Sequence, residues 1–209
     1  MADESKPPSP VGPPKTPTKS AAAGGGATTP PAKPAVKPPT APEPWSGAQL
    51  DYLNQRLPGA VSAATIFRAM PTLQVVKDFL VPVCEVLKSD EGGAYTLLTD
   101  ETAVDYPKRE KRFELVYHLY SFKRNDRLRL KVAVGEDEKV PSLVSVWPTA
   151  NWLEREVYDM FGVQYEGHPD LKRILMPDGW VGYPLRKDYD ILRQDEAWVQ
   201  ANLKIKSAQ

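Results

Sequence analysis

The clearest pattern along the chain is strict alternation. Phe113, Leu115, Tyr117 and Leu119 interleave with Glu114, Val116, His118 and Tyr120. After Lys123-Arg124-Asn125-Asp126 the pattern resumes, with Leu128, Leu130, Val132 and Val134 set between Arg127, Arg129, Lys131 and Ala133. Successive strand residues point to opposite faces, so these two runs predict a β-hairpin with one buried face. The other face of the second strand is cationic, which suits a solvated sheet surface most simply and a partner-binding surface otherwise.

Around this hairpin the apolar spacing switches between periods of two and of three to four. Leu50, Leu53 and Leu57 predict a short helix over 45–57 that stops at Pro58-Gly59. Short strands are expected at 64–67 and 73–76. Phe79, Val83, Val86 and Leu87 share a helical face, with Asp78 as the expected N-cap, Pro82 in the tolerant first turn and Gly92-Gly93 beyond the end. A strand at 95–99 and a turn at Asp105-Tyr106-Pro107 precede the hairpin; an acidic turn near Gly135 and a strand at 143–146 follow it. Leu153, Val157, Met160 and Phe161 then predict a helix over 149–161, stopped by Gly162. The sum is an α+β chain: a small mixed domain over 45–148 with an antiparallel, hairpin-containing sheet, then a helix and an extended arm over 149–209.

Residues 162–190 break both periodicities. Gly162, Gly167, Gly179 and Gly182 with Pro169, Pro177 and Pro184 forbid a long helix and interrupt strands. Yet Tyr165, Leu171, Ile174, Leu175, Met176, Trp180, Tyr183, Leu185 and Tyr189 are too apolar a set for a disordered linker. Three readings are open: an arm whose anchors fill pockets on another protein, with Arg173, Arg186 and Lys187 pairing to carboxylates there; an arm folded back on its own domain; or a substrate loop. The last lacks a nucleophile–base pair.

Composition separates the N-terminus from the rest. Thirteen of the 22 prolines fall within 1–44, where Met1, Val11 and Val36 are the only large apolar residues, so this tail is expected to be disordered. The tail carries five Lys against three acidic residues and the remainder 22 Lys+Arg against 24 Asp+Glu, so neither part makes the basic field that nucleic acid requires. No apolar run approaches the roughly 18–20 residues needed to span a bilayer, and no secretory signal core stands at the start. A soluble, cytoplasmic chain is expected.

Cys84 is the one cysteine and His118 and His168 the two histidines, so this chain alone holds neither a disulfide nor a four-thiolate cluster, and a Cys/His zinc site lacks a fourth ligand. Gly24-Gly25-Gly26 has no strand before it and no Gly-Lys-Ser/Thr after it, so it is low-complexity sequence and not a phosphate loop. Glu154, Glu156 and Asp159 bring three carboxylates to one helix, but Glu154 and Glu156 lie about 200° apart around its axis and cannot share a ligand. A charged surface, solvated or facing a partner, is the simpler reading, with Arg155 and Asp159 spaced to pair across a turn. His168, between Gly167 and Pro169, suits an interface or turn-stabilising hydrogen bond. Cys84 suits burial.

Three segments carry a resemblance. Glu154-Arg155-Glu156-Val157-Tyr158-Asp159-Met160-Phe161-Gly162, then Gly167-His168-Pro169-Asp170-Leu171-Lys172-Arg173-Ile174-Leu175, then Pro184-Leu185-Arg186-Lys187-Asp188-Tyr189 look like the signature of the C-type, thirty-kilodalton subunit of NADH-quinone oxidoreductase, supported by Ala103-Val104-Asp105-Tyr106-Pro107 and by Arg112-Phe113-Glu114-Leu115-Val116-Tyr117. The resemblance covers roughly 50–190; Tyr183 stands where many members carry His. It implies a non-catalytic structural subunit in the peripheral arm of respiratory complex I, supporting electron transfer from NADH to quinone. The partners it implies are other complex I subunits, chiefly the D-type subunit, with membrane association indirect and on the cytoplasmic side of the bacterial inner membrane. It implies no cofactor in this chain, the flavin, iron–sulfur clusters and quinone belonging to partner subunits. The candidate partner-binding residues are Glu154, Arg155, Glu156, Asp159, His168, Arg173, Trp180, Arg186, Lys187, Asp188 and Tyr189. A homologous subunit of a membrane-bound hydrogenase or deazaflavin-linked dehydrogenase is the alternative. A free-standing hydrolase using Glu154, Glu156 or Asp159 is a remote one.

Overall fold

The computed structural model describes residues 41–190 and 196–204. Nearly all of the Pro-rich tail therefore lies outside the described residues. Its expected boundary at 44 is too late, because Glu43–Pro44 (β1) already pairs with Thr65 and Ile66 at a sheet edge.

The hairpin forms in the register that its alternation demands. Phe113–Ser121 (β5) and Asp126–Val134 (β6) are antiparallel, with Leu115 opposite Val132, Tyr117 opposite Leu130 and Leu119 opposite Leu128. All six are essentially inaccessible to solvent. Burying an aliphatic side chain contributes about 1.5–3 kcal/mol, so this one face is a large part of the core. On the opposite face the cations find partners across the ladder: Lys131 Nζ lies 2.6 Å from Glu114, and Arg129 Nε donates to His118 Nε2 at 2.9 Å. Burial, with Arg129 beside it, holds His118 below the usual histidine range.

Val61–Phe67 (β2), Met70–Val75 (β3) and Leu97–Asp105 (β4) complete a six-stranded sheet ordered β1-β2-β3-β6-β5-β4. Every neighbouring pair is antiparallel except β3 with β6. The β2–β3 turn is unusual in that Arg68 and Ala69 both sit at positive φ, 48° and 59°. Helices Ala48–Arg56 (α1), Leu80–Lys88 (α2) and Ala150–Phe161 (α3) supply Leu53, Val83, Leu87, Val157 and Phe161 to the core formed with the sheet. Cys84 is buried there, which pushes its thiol up.

Four local expectations need correction. Asp78 caps nothing: a 3-10 turn, Lys77–Phe79, precedes α2 without a side-chain cap. The strand expected at 95–99 starts at Leu97 and runs on to Asp105, whose carboxylate is buried instead of marking an exposed turn. The apolar run 143–146 is a tight turn, with Val146 N donating to Leu143 O, because Leu143 and Val146 enter the core without a ladder. The strand lies just before it: Lys139–Pro141 (β7) pairs in parallel with Gln164–Glu166 (β8), inside the segment expected to be irregular. A further helix, Glu196–Leu203 (α4), has no counterpart in the sequence pattern described above.

Candidate functional site

Helix α3 and the segment after it are joined by Gly162, at φ 80°, whose N–H closes the helix on Tyr158 O at 2.8 Å. A Cβ here would stand 2.5 Å from Tyr183 Cε2 and 2.8 Å from Arg186 Nη2, so the position requires glycine for conformation and for space. From there the chain runs through β8 and turns back over the C-terminal end of α3.

Asp159 is the first anchor. It is fully buried, and its Oδ2 accepts three successive backbone N–H groups, from Ile174 at 2.9 Å, Leu175 at 2.7 Å and Met176 at 2.9 Å. Arg173 Nη1 reaches Oδ1 at 3.0 Å while its Nη2 donates to Gly182 O at 2.9 Å. Consecutive amides converging on one oxygen form an anion-binding nest, supplied here with its own anion. A charge-assisted bond is about twice as strong as a neutral one, so a stretch without regular structure is held firmly.

Arg112 is the second anchor. Its guanidinium is bidentate on Asp105, at 2.8 and 3.0 Å, and also reaches Asp188 at 2.7 Å and Glu136 at 3.0 Å. Asp105 accepts Lys187 N–H at 2.7 Å, and Glu136 accepts Arg186 Nη1 at 2.6 Å. Arg112 thereby holds the Asp105 and Asp188 carboxyls below the usual aspartate range. Arg186 completes the clasp: its Nε donates to Phe161 O at 2.6 Å, and its guanidinium lies 4.6 Å from the Tyr183 ring centre and 5.3 Å from that of Phe113. Leu185 N donates to Met160 O at 3.1 Å.

Several candidate residues are therefore not where a partner-facing role needs them. Glu154 is fully buried, accepting Ser142 Oγ at 2.7 Å and Leu143 N at 2.6 Å. Arg155 is buried against Trp152, with Nε on Lys172 O at 3.2 Å. Asp159 pairs with Arg173, not with Arg155. Arg173 and Arg186 find carboxylates inside the chain, which corrects the expectation that a partner supplies them. Glu154 and Asp159 serve different segments and do not converge on a common point. His168 is a turn residue, accepting Asp170 N–H at Nδ1 and thus carrying hydrogen on Nε2, 3.0 Å from Asn151 O. Trp180 stacks edge-on against Trp198 at 5.3 Å. Glu156, Lys187 and Asp188 are exposed, and Tyr189 is half-buried beside Gly182.

The outward surface of this region carries a concentration of exposed apolar side chains among charged ones. Val181 is 65% exposed, Trp152 63%, Leu175 55% and Leu185 50%, which makes four of the six large exposed hydrophobic residues among those described. The arm thus turns its arginines inward and three of its aliphatic side chains outward. Sequence reasoning missed Asp105, Arg112 and Glu136 as arm anchors. The signal available was an Asp and an Arg bracketing one turn seven residues apart.

Fold and site together define an α+β domain bearing a folded-back arm with exposed apolar side chains, the form of a subunit that docks. The profile of the "Respiratory-chain NADH dehydrogenase, 30 Kd subunit" family matches residues 73–195, and the chain belongs to that family. Relatives named as the C-type subunit of NADH-quinone oxidoreductase include one from Azorhizobium caulinodans, 45% identical over 140 residues covering 67% of this chain and 66% of the relative. Another, from Ruegeria pomeroyi, is 51% identical over 130 residues, 60% of this chain and 65% of the relative. A third, from Geobacter sulfurreducens, is 48% identical over 145 residues, 68% and 88%. The match spans about two thirds of the length of the first two, 66% and 65%. Among solved structures, a chain of the membrane-bound sulfane sulfur reductase, an archaeal respiratory membrane complex, superposes with a TM-score of 0.55 at 28% identity, covering 75% of this chain and 89% of that one.

Proposed function

We propose that this chain is a structural subunit of a proton-translocating NADH:quinone oxidoreductase, with no catalytic residue and no flavin, cluster or quinone of its own. It docks through the outer surface of α3 and the arm on the neighbouring D-type subunit and helps hold the quinone-reducing module together. In this reading it sits peripherally on the cytoplasmic side of the membrane; no helix among the described residues is long and apolar enough to cross one.

The observation that carries this reading is the exposed set Trp152 of α3 and Leu175, Val181 and Leu185 of an arm whose arginines are already paired within the chain. Apolar side chains left out of a core, on a rigid support, are what a partner's pockets anchor. Replacing Leu175, Val181 and Leu185 together with Asp tests it in the assembled enzyme. Expected is loss of co-purification with the D-type subunit and of quinone reductase activity, with the melting temperature of the isolated chain unchanged. Normal assembly of the triple variant overturns it.

A subunit of a different respiratory membrane complex is the second reading, favoured by the likeness to the sulfane sulfur reductase chain. Its 28% identity against 45–51% for the three named relatives ranks it second. Which proteins co-purify with the native chain separates the two.

A further inference from the structure

Beneath α3, on the core side of the sheet, four polar side chains from four elements meet out of reach of water: Glu101 of β4, Tyr117 of β5, Glu154 of α3 and Tyr165 of β8, none more than 5% exposed. The docking surface makes no use of them. Their donors are unequally divided. Glu154 accepts at both oxygens, from an amide and from a serine hydroxyl, a setting that suits an ionised carboxylate. Glu101 has a single donor, the Tyr165 hydroxyl 2.5 Å from Oε1, and its Oε2 has no hydrogen-bond partner. The Tyr117 hydroxyl also lacks one, although it lies close enough to Glu101 to feel its charge.

Turning Tyr117 gives even an ionised Glu101 a second donor, but two buried carboxylates acting on each other do not both ionise without strong compensation. Among the described residues no lysine or arginine pairs with Glu101; the groups that act on it most strongly are Glu154, Tyr165, Tyr117 and its own neighbour Asp100, and the Cys84 thiol of α2 also feels it. With a proton on Oε2, Glu101 becomes a donor, and a small rotation lets Tyr117 accept it. Both orphans are then satisfied. We propose that Glu101 is a neutral carboxylic acid in the folded protein, its proton shared with Tyr117 across the β4–β5 ladder while Tyr165 of β8 donates to its other oxygen.

Burial and the Glu154 charge push Glu101 well above the usual glutamate range, in agreement with the geometry, while burial pushes Glu154 up to about 7 against its two hydrogen bonds. The unfolded chain releases the Glu101 proton near the ordinary value of 4.5 and the folded chain keeps it. This contribution is complete below that value and is lost as pH rises toward the folded one.

Infrared spectra of the full chain at about pH 8.5, above the value of about 7 for Glu154, test the assignment. The carboxylic-acid C=O band is expected in the wild type and in Glu154→Gln, and its loss in Glu101→Gln. Melting curves between about pH 5 and pH 9 should show Glu101→Gln at or above wild type at the alkaline end, with a flatter pH slope. A band that survives Glu101→Gln, or vanishes in Glu154→Gln, overturns the proposal, as does an unchanged slope. Should Glu101→Gln fail to fold, Tyr165→Phe decides, because removing the donor to Oε1 must move the band to higher frequency. A band that does not move overturns the proposal.

Discussion

The β5–β6 hairpin and the arm are built on opposite principles. In the hairpin, Leu115, Tyr117, Leu119, Leu128, Leu130 and Val132 turn inward and the charged side chains outward, so stability comes from non-directional burial spread over many contacts. In the arm, Arg173 and Arg186 turn inward and Leu175, Val181 and Leu185 outward, so stability comes from a few directional bonds to Asp159, Asp105 and Glu136. The first arrangement tolerates small losses at many sites. The second depends on the Asp159 carboxylate and the cluster around Arg112, and the inversion leaves apolar side chains free for a partner.

The comparison breaks most sharply at Asp159. Replacing it with Ala leaves Arg173 without its carboxylate and three amides without an acceptor, an expected local loss of about 3–5 kcal/mol. Hydrogen exchange should show the amides of Ile174, Leu175 and Met176 losing protection while those of β5 and β6 keep theirs. Leu130→Ala, in contrast, should cost about 3 kcal/mol across the whole domain, lowering the denaturation midpoint and the protection of hairpin and arm together. Gly162→Ala should cost about 1–2 kcal/mol from backbone strain, and more if Tyr183 cannot give way, read as earlier melting with increased exchange at Leu185 and Arg186.

A gentler probe is acid. Asp105 and Asp188 are held below the ordinary aspartate value of 3.8, so their contribution is present above it and drains away as pH falls through the folded values. The amide of Lys187 should therefore lose protection on acidification before the hairpin amides do. Smallest of all, Ala69→Gly relieves a positive φ at the β2–β3 turn and should stabilise the sheet by about 0.5 kcal/mol in denaturant titrations, with no change in arm protection.

The same contrast explains what could be read beforehand. Alternation exposed the hairpin because a sheet's two faces impose period two on neighbouring residues, and Gly162 announced its helix end for an equally local reason. Three segments resembling one family led to the family itself. Glu154, Arg155 and Asp159 were misjudged because a charged helix face ordinarily means solvent. What buries them is the backbone of Leu143, Lys172 and Ile174 through Met176, and backbone groups leave no trace in side-chain pattern. The fold-back of the arm was one of three open readings, since Pro and Gly density says that regular structure stops without saying where the chain goes next.

The nest at Asp159 bears on how fast two subunits can find each other. A segment that orders only on contact must lose its conformational freedom during the encounter, slowing productive collisions or weakening the complex that results. Here that freedom is already gone before any collision, so the two surfaces can meet as rigid bodies, at rates set by diffusion and orientation instead of by a search through chain conformations.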